Sequence, residues 1–473
     1  MDLRFFSFSF TGGIHMKQEN IMKKMGTMPV NKLMLSMGIP IIISMILQAL
    51  YNIVDSAFVS NMEGGELGLN ALTLAFPVQM LMVAIGIGTG VGVNVLMSRC
   101  LGQQDTQKAA RVAGNAIFLG LIITALFMLF GIFGVRFYVA TQTANPEITK
   151  MAITYLRICC VISFGIVFFS IFEKILQAAG LSTHSTIAQI SGAVINIILD
   201  PIMIYGLLGF PKLGIAGAAL ATVIGQIASF LIALTFHLKY NKSVKNGLRY
   251  IRPYGGIIKE IYVVGLPAII AQALMSVMTY GINIILGNVN ESLVTAYGLY
   301  YKIQQFILFA AFGLRDAITP VVSFSYGMKN KNRIKDSIRY GIMYTLIIMI
   351  IGTLALGVFA TPLCEAFGLS GTTEKLCISA TRIISLSFVF AGTNVALQGI
   401  LQALDSGLSS LIISICRQLL FVLPVTWAFS LFVNPNLGNA WILWLTFIIA
   451  EAVSAVISIL LMRKSYQVKV KTI

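Results

Sequence analysis

Apolar residues along this chain fall in blocks of about 20 to 27, separated by short polar stretches. That block length is what a bilayer core demands of a helix. The blocks are continuously apolar rather than alternating, which predicts a helical bundle and not a β-barrel. Twelve such runs predict spans at about 33–59, 71–97, 113–135, 155–179, 187–207, 215–236, 261–286, 294–326, 340–360, 379–404, 409–432 and 440–462. The second and eighth are long enough to require tilt or a protruding end.

Composition agrees with the pattern. Hydrophobic residues make up 57% of 473 residues and only 11% are charged, too few to wet the surface of a soluble domain of this size. The formal charge of +16 does not point to nucleic acid, because the basic residues cluster at span ends rather than on one face with interleaved aromatics. The bilayer is the expected surrounding and no nucleic acid partner is expected.

Lysine and arginine also predict orientation. With the N-terminus inside, 24 of them fall in the inner connections and tails, Arg417 among them, against 6 outside. Such a bias places both termini in the cytoplasm. The start, MDLRFFSFSFTGGIH, lacks the apolar core of a signal peptide, and Met16 opens a more ordinary beginning. Residues 1–32 are read as a cytoplasmic tail.

The chain repeats itself. ILQA at 175–178 returns at 400–403, an offset of 225 that also pairs Ser98 with Ser323, Gly102 with Gly327, Arg157 with Arg382, Ser229 with Ser454, and Gln226 with Glu451. GIP at 38–40 meets GLP at 265–267 with the offset changed by two. An offset of six spans puts both copies in the same orientation. The expected architecture is an all-α polytopic membrane protein of twelve transmembrane helices in two pseudo-symmetric six-helix lobes. The boundaries read as an N-lobe at 33–238, a basic cytoplasmic linker at 239–257, a C-lobe at 258–462 and a tail at 463–473. Two-lobed membrane proteins of this kind usually rock around a central cavity.

Charges inside the hydrocarbon region are costly and mark function by default. Span 1 places Asn52 and Asp55 three apart on one helical face, and span 5 places Asn196 and Asp200 four apart. Pro201 cannot donate to the carbonyl of Ile197, which frees a backbone oxygen nearby. Carboxylates and amide oxygens suit a hard monovalent cation. The same carboxylates are equally able to take a proton, since burial and like charge favour a neutral acid. Thr222 in span 6 is a candidate to lend a hydroxyl. At the repeat offsets Asn196 maps to Phe421, Asp200 to Val425 and Asp55 near Ile282, so the shared scaffold does not require these polar groups.

Other polar residues are less decisive. Glu173 and Lys174 point about 100° apart, and snorkelling toward the inner end is the favoured reading. Lys302, Arg315, Asp316 and Glu451 either line a cavity, pair across lobes or sit near interfaces. The two bases among them argue against a cavity built purely for cations. The six cysteines read as small core residues, although Cys364 and Cys377 flank one loop and are able to pair. The 21 methionines and 30 phenylalanines suit amphipathic ligands and lipid contact alike.

No catalytic constellation is present in the sequence: His15, His184 and His237 are far apart and sit in tails or at span ends. The phosphate-binding pattern G-x-x-x-x-G-K-[ST] is absent. The chain is therefore not expected to be an enzyme or to need a cofactor.

At GIPIIISMILQALYNIVDSAFVS, AFPVQ, GVNVLMSRCLGQ, NIILDPIMIYG, LGIAGAALATVIGQ and RQLLFVLPVTW the chain resembles the bacterial branch of the multidrug and toxic compound extrusion family. The resemblance spans about 30 to 465. It implies antiport of small amphipathic, often cationic, drug-like compounds against H⁺ or Na⁺ in a bacterial cytoplasmic membrane. It also implies a cation site at Asp55, Asn196 and Asp200, with Thr222 beside it. Asn52, Gln177, Lys302, Arg315 and Glu451 are the candidates for the substrate cavity. Two departures stand out: Gln177 occupies a place where many relatives carry Arg, and span 7 has no acidic residue, which argues against a second cation site. The chain is expected to work as a monomer. The alternative within the same superfamily is a flippase for a lipid-linked precursor.

Overall fold

The computed structural model describes residues 21–366 and 371–473. The first twenty residues, with Met16 and most of the basic tail, lie outside the described residues, as does the side chain of Asn52. Every described element is helical or a turn, and no strand occurs among them.

Twelve spanning helices follow a short helix at Ile21–Thr27. The first lobe holds α1 (Val30–Ser60), α2 (Gly65–Gly102), α3 (Thr106–Ala140), α4 (Pro146–Val161 and Phe164–Ala178), α5 (Ser182–Tyr205) and α6 (Ile215–Tyr240). The second holds α7 (Gly255–Val289), α8 (Glu291–Gly327), α9 (Lys331–Glu365), α10 (Gly371–Ser385 and Phe388–Ala403), α11 (Gly407–Ser430) and α12 (Trp441–Lys469). All twelve lie where the apolar runs predict them. Several extend further, because helical hydrogen bonding continues past the hydrocarbon boundary. The 38 residues of α2 and 37 of α8 would measure about 55 Å, well beyond a bilayer core of roughly 30 Å.

Local sequence fixes several ends. Asp105 accepts from Lys108 N at 2.8 Å to start α3. Asn145 accepts from Glu147 N at 2.9 Å ahead of Pro146, and Asn290 accepts from Ser292 N at 2.8 Å to start α8. These are side-chain N-caps, each supplying an acceptor for an orphan backbone donor. Gly206, at φ 75°, closes α5 in the left-handed region.

The repeat is visible in three dimensions. α4 bends by 47° between Val161 and Phe164, and α10 bends by 52° between Ser385 and Phe388. Asn94 donates to the carbonyl of Lys174 at 3.0 Å, and its repeat mate Thr319 reaches the carbonyl of Gly399 at 3.4 Å. The lobes cross-pack symmetrically, α1 against α8 and α7 against α2. At their C-terminal ends α2 and α8 meet through two glycines. A Cβ on Gly102 would stand 2.2 Å from the carbonyl oxygen of Phe324, and one on Gly327 would stand 2.3 Å from that of Arg99. Only residues without a side chain permit this approach.

Two sequence expectations change. Arg417 lies inside α11, in a wide helical turn at Cys416–Leu420, and not in an inner connection. There it pairs with Glu451 of α12 at 2.7 Å. Lys174 does not snorkel. It is buried at 3% exposure because a carboxylate from the other lobe meets it within the protein.

Candidate functional site

The N-lobe gathers its polar groups between α1, α5 and α6. Gly192 and Gly225 let α5 and α6 touch: a Cβ on Gly225 would stand 2.7 Å from the carbonyl oxygen of Gly192 and 3.0 Å from Cβ of Asn196. That approach brings Asn196 on α5 to Thr222 on α6. Asn196 Nδ2 donates to Asp200 Oδ1 at 3.2 Å and to Thr222 Oγ1 at 3.5 Å. Asp55 of α1 comes within hydrogen-bond reach of Asp200. Tyr51 sits one turn before Asp55, and Tyr155, which receives Gln79 Nε2 at 3.0 Å, stands close by. α1 is tied to α5 by Gln189 Nε2 to Gln48 Oε1 at 2.8 Å and by Tyr205 OH to the carbonyl of Phe58 at 2.7 Å.

Asn196, Asp200 and Thr222 are buried, and Asp55 is half-buried. Among the described residues no basic side chain forms an ion pair with either acid. Asp55 Oδ1, Asn196 Oδ1 and Asp200 Oδ2 are buried acceptors without a hydrogen-bond donor. Buried oxygens of this kind are normally satisfied, and each left bare costs about 1–3 kcal/mol. The helix continues through Pro201 to Tyr205.

A second cluster joins the lobes. Lys174 Nζ donates to Asp316 Oδ2 at 2.6 Å and to Gln177 Oε1 at 3.0 Å. Gln177 Nε2 in turn donates to Glu173 Oε1 at 2.9 Å. Arg315 Nε and Nη2 both donate to Asp316 Oδ1, at 3.2 and 3.0 Å. Gln177 is therefore part of this buried network rather than of a cavity wall.

The third feature is a cavity largely on the C-lobe side, with α7, α8, α10, α11 and α12 contributing to its wall and Ile87 and Val91 of α2 closing it from the other lobe. Met275, Phe312, Phe388 and Phe447 give it apolar faces, while Arg315, Arg417 and Glu451 supply charge. Arg417 Nε and Nη2 clasp Glu451 at 2.7–3.1 Å, and Asn394 Nδ2 donates to Glu451 Oε2 at 2.7 Å. Of the residues that the sequence proposes for a cavity, Arg315 and Glu451 line it, and Lys302 is exposed outside it.

Sequence reasoning missed Arg417 as a cavity residue and did not assign Asp316 its partner. The signal for Arg417 was present: it interrupts an apolar run, RQLLFVLP, and so carries the same cost as the acids. Cys364 and Cys377 are free thiols whose sulfurs lie 3.0 Å apart.

Two pseudo-symmetric helical lobes around buried polar clusters define a membrane transporter. The MatE family model matches residues 40–202 and 267–428, one stretch in each lobe, and the chain belongs to that family of multidrug efflux transporters. It is 25% identical over 433 residues to the multidrug export protein MepA of Staphylococcus aureus, covering 92% of this chain and 93% of that protein. It superposes on a crystal structure of MATE in the straight conformation with TM-score 0.89 and 26% identity, over 96% of this chain and 100% of that one. An outward-facing multidrug resistance MATE transporter matches with TM-score 0.87 and 27% identity, over 93% of this chain and 97% of that one. Members of the family are cation-coupled transporters, not enzymes, and need no cofactor. These likenesses do not favour a lipid-precursor flippase.

Proposed function

We propose that this chain is a secondary antiporter that exports amphipathic small molecules in exchange for H⁺ or Na⁺, with its coupling site at Asp55, Asn196, Asp200 and Thr222. One observation carries the reading: buried oxygens on Asp55, Asn196 and Asp200 each lack a donor, and among the described residues neither acid has a basic partner. Unpaired acceptors at membrane depth are a seat for a proton or a hard monovalent ion. Cation entry neutralises the acids and changes the packing of α1 against α5, and coupling follows if the two conformations bind the cation unequally.

The bias of basic residues supports placing both termini in the cytoplasm of a bacterial cell. With that orientation the glycine crossing of Gly102 and Gly327 lies on the inner side. The lobes then run over 33–238 and 258–462 with a cytoplasmic linker at 239–257, and one chain suffices for transport.

The test is efflux from proteoliposomes under an imposed Na⁺ gradient and, separately, an imposed pH gradient. Asp55→Asn and Asp200→Asn each abolish gradient-driven efflux. Full efflux in both variants rejects the site, and the gradient that drives the parent protein identifies the ion.

A further inference from the structure

We propose that Arg99 of α2 and Asp405, in the turn between α10 and α11, form a latch that holds the cytoplasmic ends of the two lobes together and opens when the transporter turns inward. The inference rests on the orientation proposed above and on alternation between two states, not on the coupling site.

The turn that carries Asp405 occurs twice in the chain. After α10 the Asp405 amide donates to the carbonyl of Gln402 at 3.0 Å and the Ser406 amide to that of Leu401 at 2.8 Å. After α4, its repeat mate, the Gly180 amide donates to the carbonyl of Gln177 at 3.0 Å and the Leu181 amide to that of Leu176 at 2.9 Å. Both turns pass through the left-handed region, with φ 56° at Asp405 and 76° at Gly180. Glycine takes that conformation freely, whereas a side chain there is strained. The backbone therefore favours glycine at 405, and a carboxylate stands there against local preference. Outliers of this kind point to function.

The partner explains the carboxylate. Asp405 Oδ1 is ion-paired with Nη2 of Arg99, at the end of α2 in the other lobe. The guanidinium carbon of Arg99 also stands 5.5 Å from the ring centroid of Tyr326 on α8. Both contacts cross the seam where Gly102 and Gly327 bring the helices together. On its own side the Asp405 turn is anchored to α12: Lys469 Nζ donates to the carbonyl of Leu404 at 2.7 Å, and Ser465 Oγ to Ser406 Oγ at 3.2 Å. Phe324 and Gly180 stand at the repeat places of Arg99 and Asp405, so the pair is made on one edge of the seam and not on the other.

The pair is also able to release. Arg99 Nε and Nη2 have no aligned hydrogen-bond acceptor, and the two side chains are 16% and 31% exposed. A partly exposed ion pair without that alignment is weak enough to open, unlike the deeply buried Lys174–Asp316. Lys108–Glu260 also joins the lobes, but more openly, at 35% and 44% exposure.

Ser323 supplies the reporter. It is fully buried, and its Oγ donates across the seam to the carbonyl of Val95 on α2 at 2.7 Å. Ser323→Cys in the full-length protein is labelled with a membrane-impermeant maleimide in inside-out vesicles, without substrate or gradient, against the background of the six native cysteines, all buried. The labelling rate follows the population of the inner-open state. Asp405→Asn and Asp405→Gly suit the left-handed turn and lack the charge. Each is expected to raise the rate about two- to fivefold, the worth of a partly exposed ion pair, with the melting temperature little changed. Arg99→Gln raises it to the same extent and adds nothing to Asp405→Gly, because the pair is lost only once. Glu260→Gln leaves the rate unchanged. A rate unaltered in both Asp405 variants overturns the proposal, as does an equal rise in Glu260→Gln or additive effects in the double variant. A rise confined to right-side-out vesicles reverses the orientation and leaves the latch standing. Because no gradient is applied, failure of the coupling site does not touch this result.

Discussion

Lys174 on α4 and Asp316 on α8 hold each other at 2.6 Å across the junction of the two lobes. They are 142 positions apart in the chain, and neither has a charged counterpart at the repeat offset, where Gly399 and Val91 stand. The pair is therefore a local asymmetry placed on a symmetric frame. Removing two charges from water is costly, and only close geometry with additional hydrogen bonds repays it. Gln177 and Arg315 supply those bonds.

Because the pair is buried, losing one partner leaves a bare charge. Asp316→Asn is expected to lower stability by about 3–5 kcal/mol. Glu260→Gln, which breaks the exposed Lys108–Glu260 pair at 2.8 Å, should change it by no more than about 1 kcal/mol. Thermal unfolding in detergent decides this. Equal melting points for the two variants would show that the buried pair carries no special weight.

The glycine crossing of α2 and α8 is expected to tolerate no side chain. Gly102→Val and Gly327→Val force the two backbones apart, costing about 1–3 kcal/mol each and reducing efflux. Gly357→Ala in α9 is the control, because nothing lies within 4 Å of a Cβ there. Its melting point should match or exceed that of the parent, since alanine favours helix over glycine by about 1 kcal/mol. Valine variants as stable and active as the control would contradict the close crossing.

Within the N-lobe site the two neutral residues should differ in effect. Asn196 reaches both Asp200 and Thr222, whereas Thr222 is joined only at 3.5 Å. Asn196→Ala is expected to reduce gradient-driven efflux by about tenfold or more, and Thr222→Val by a few-fold, following the relative worth of charged and neutral hydrogen bonds. Initial rates in proteoliposomes measure both. A larger loss for Thr222→Val would invert the arrangement argued here.

The contact of Cys364 with Cys377 is also checkable. Both thiols are buried and stand 3.0 Å apart. Treatment of the folded protein with diamide, which is reduced as the two thiols join, should remove both from maleimide labelling after unfolding. Cys364→Ser should leave Cys377 fully labelled under the same treatment. Unprotected labelling of both thiols in the parent would show that the helix ends are not in contact.

Much of this molecule was determined by the sequence alone. Twelve apolar blocks dictated twelve helices because the cost of exposing backbone and charge to lipid is local and accumulates along each segment. The offset of 225 dictated two lobes in the same orientation, and the acids and amides of spans 1 and 5 stood out because each is expensive where it lies. What the tertiary structure decided is the partnership of those groups. Lys174 found Asp316, Arg417 found Glu451, and the oxygens of Asp55, Asn196 and Asp200 were left without donors only once the helices crossed. Hydropathy measures what each residue loses by leaving water. Which of those losses is repaid depends on distances between helices, and those distances were set by small residues such as Gly102, Gly192, Gly225 and Gly327.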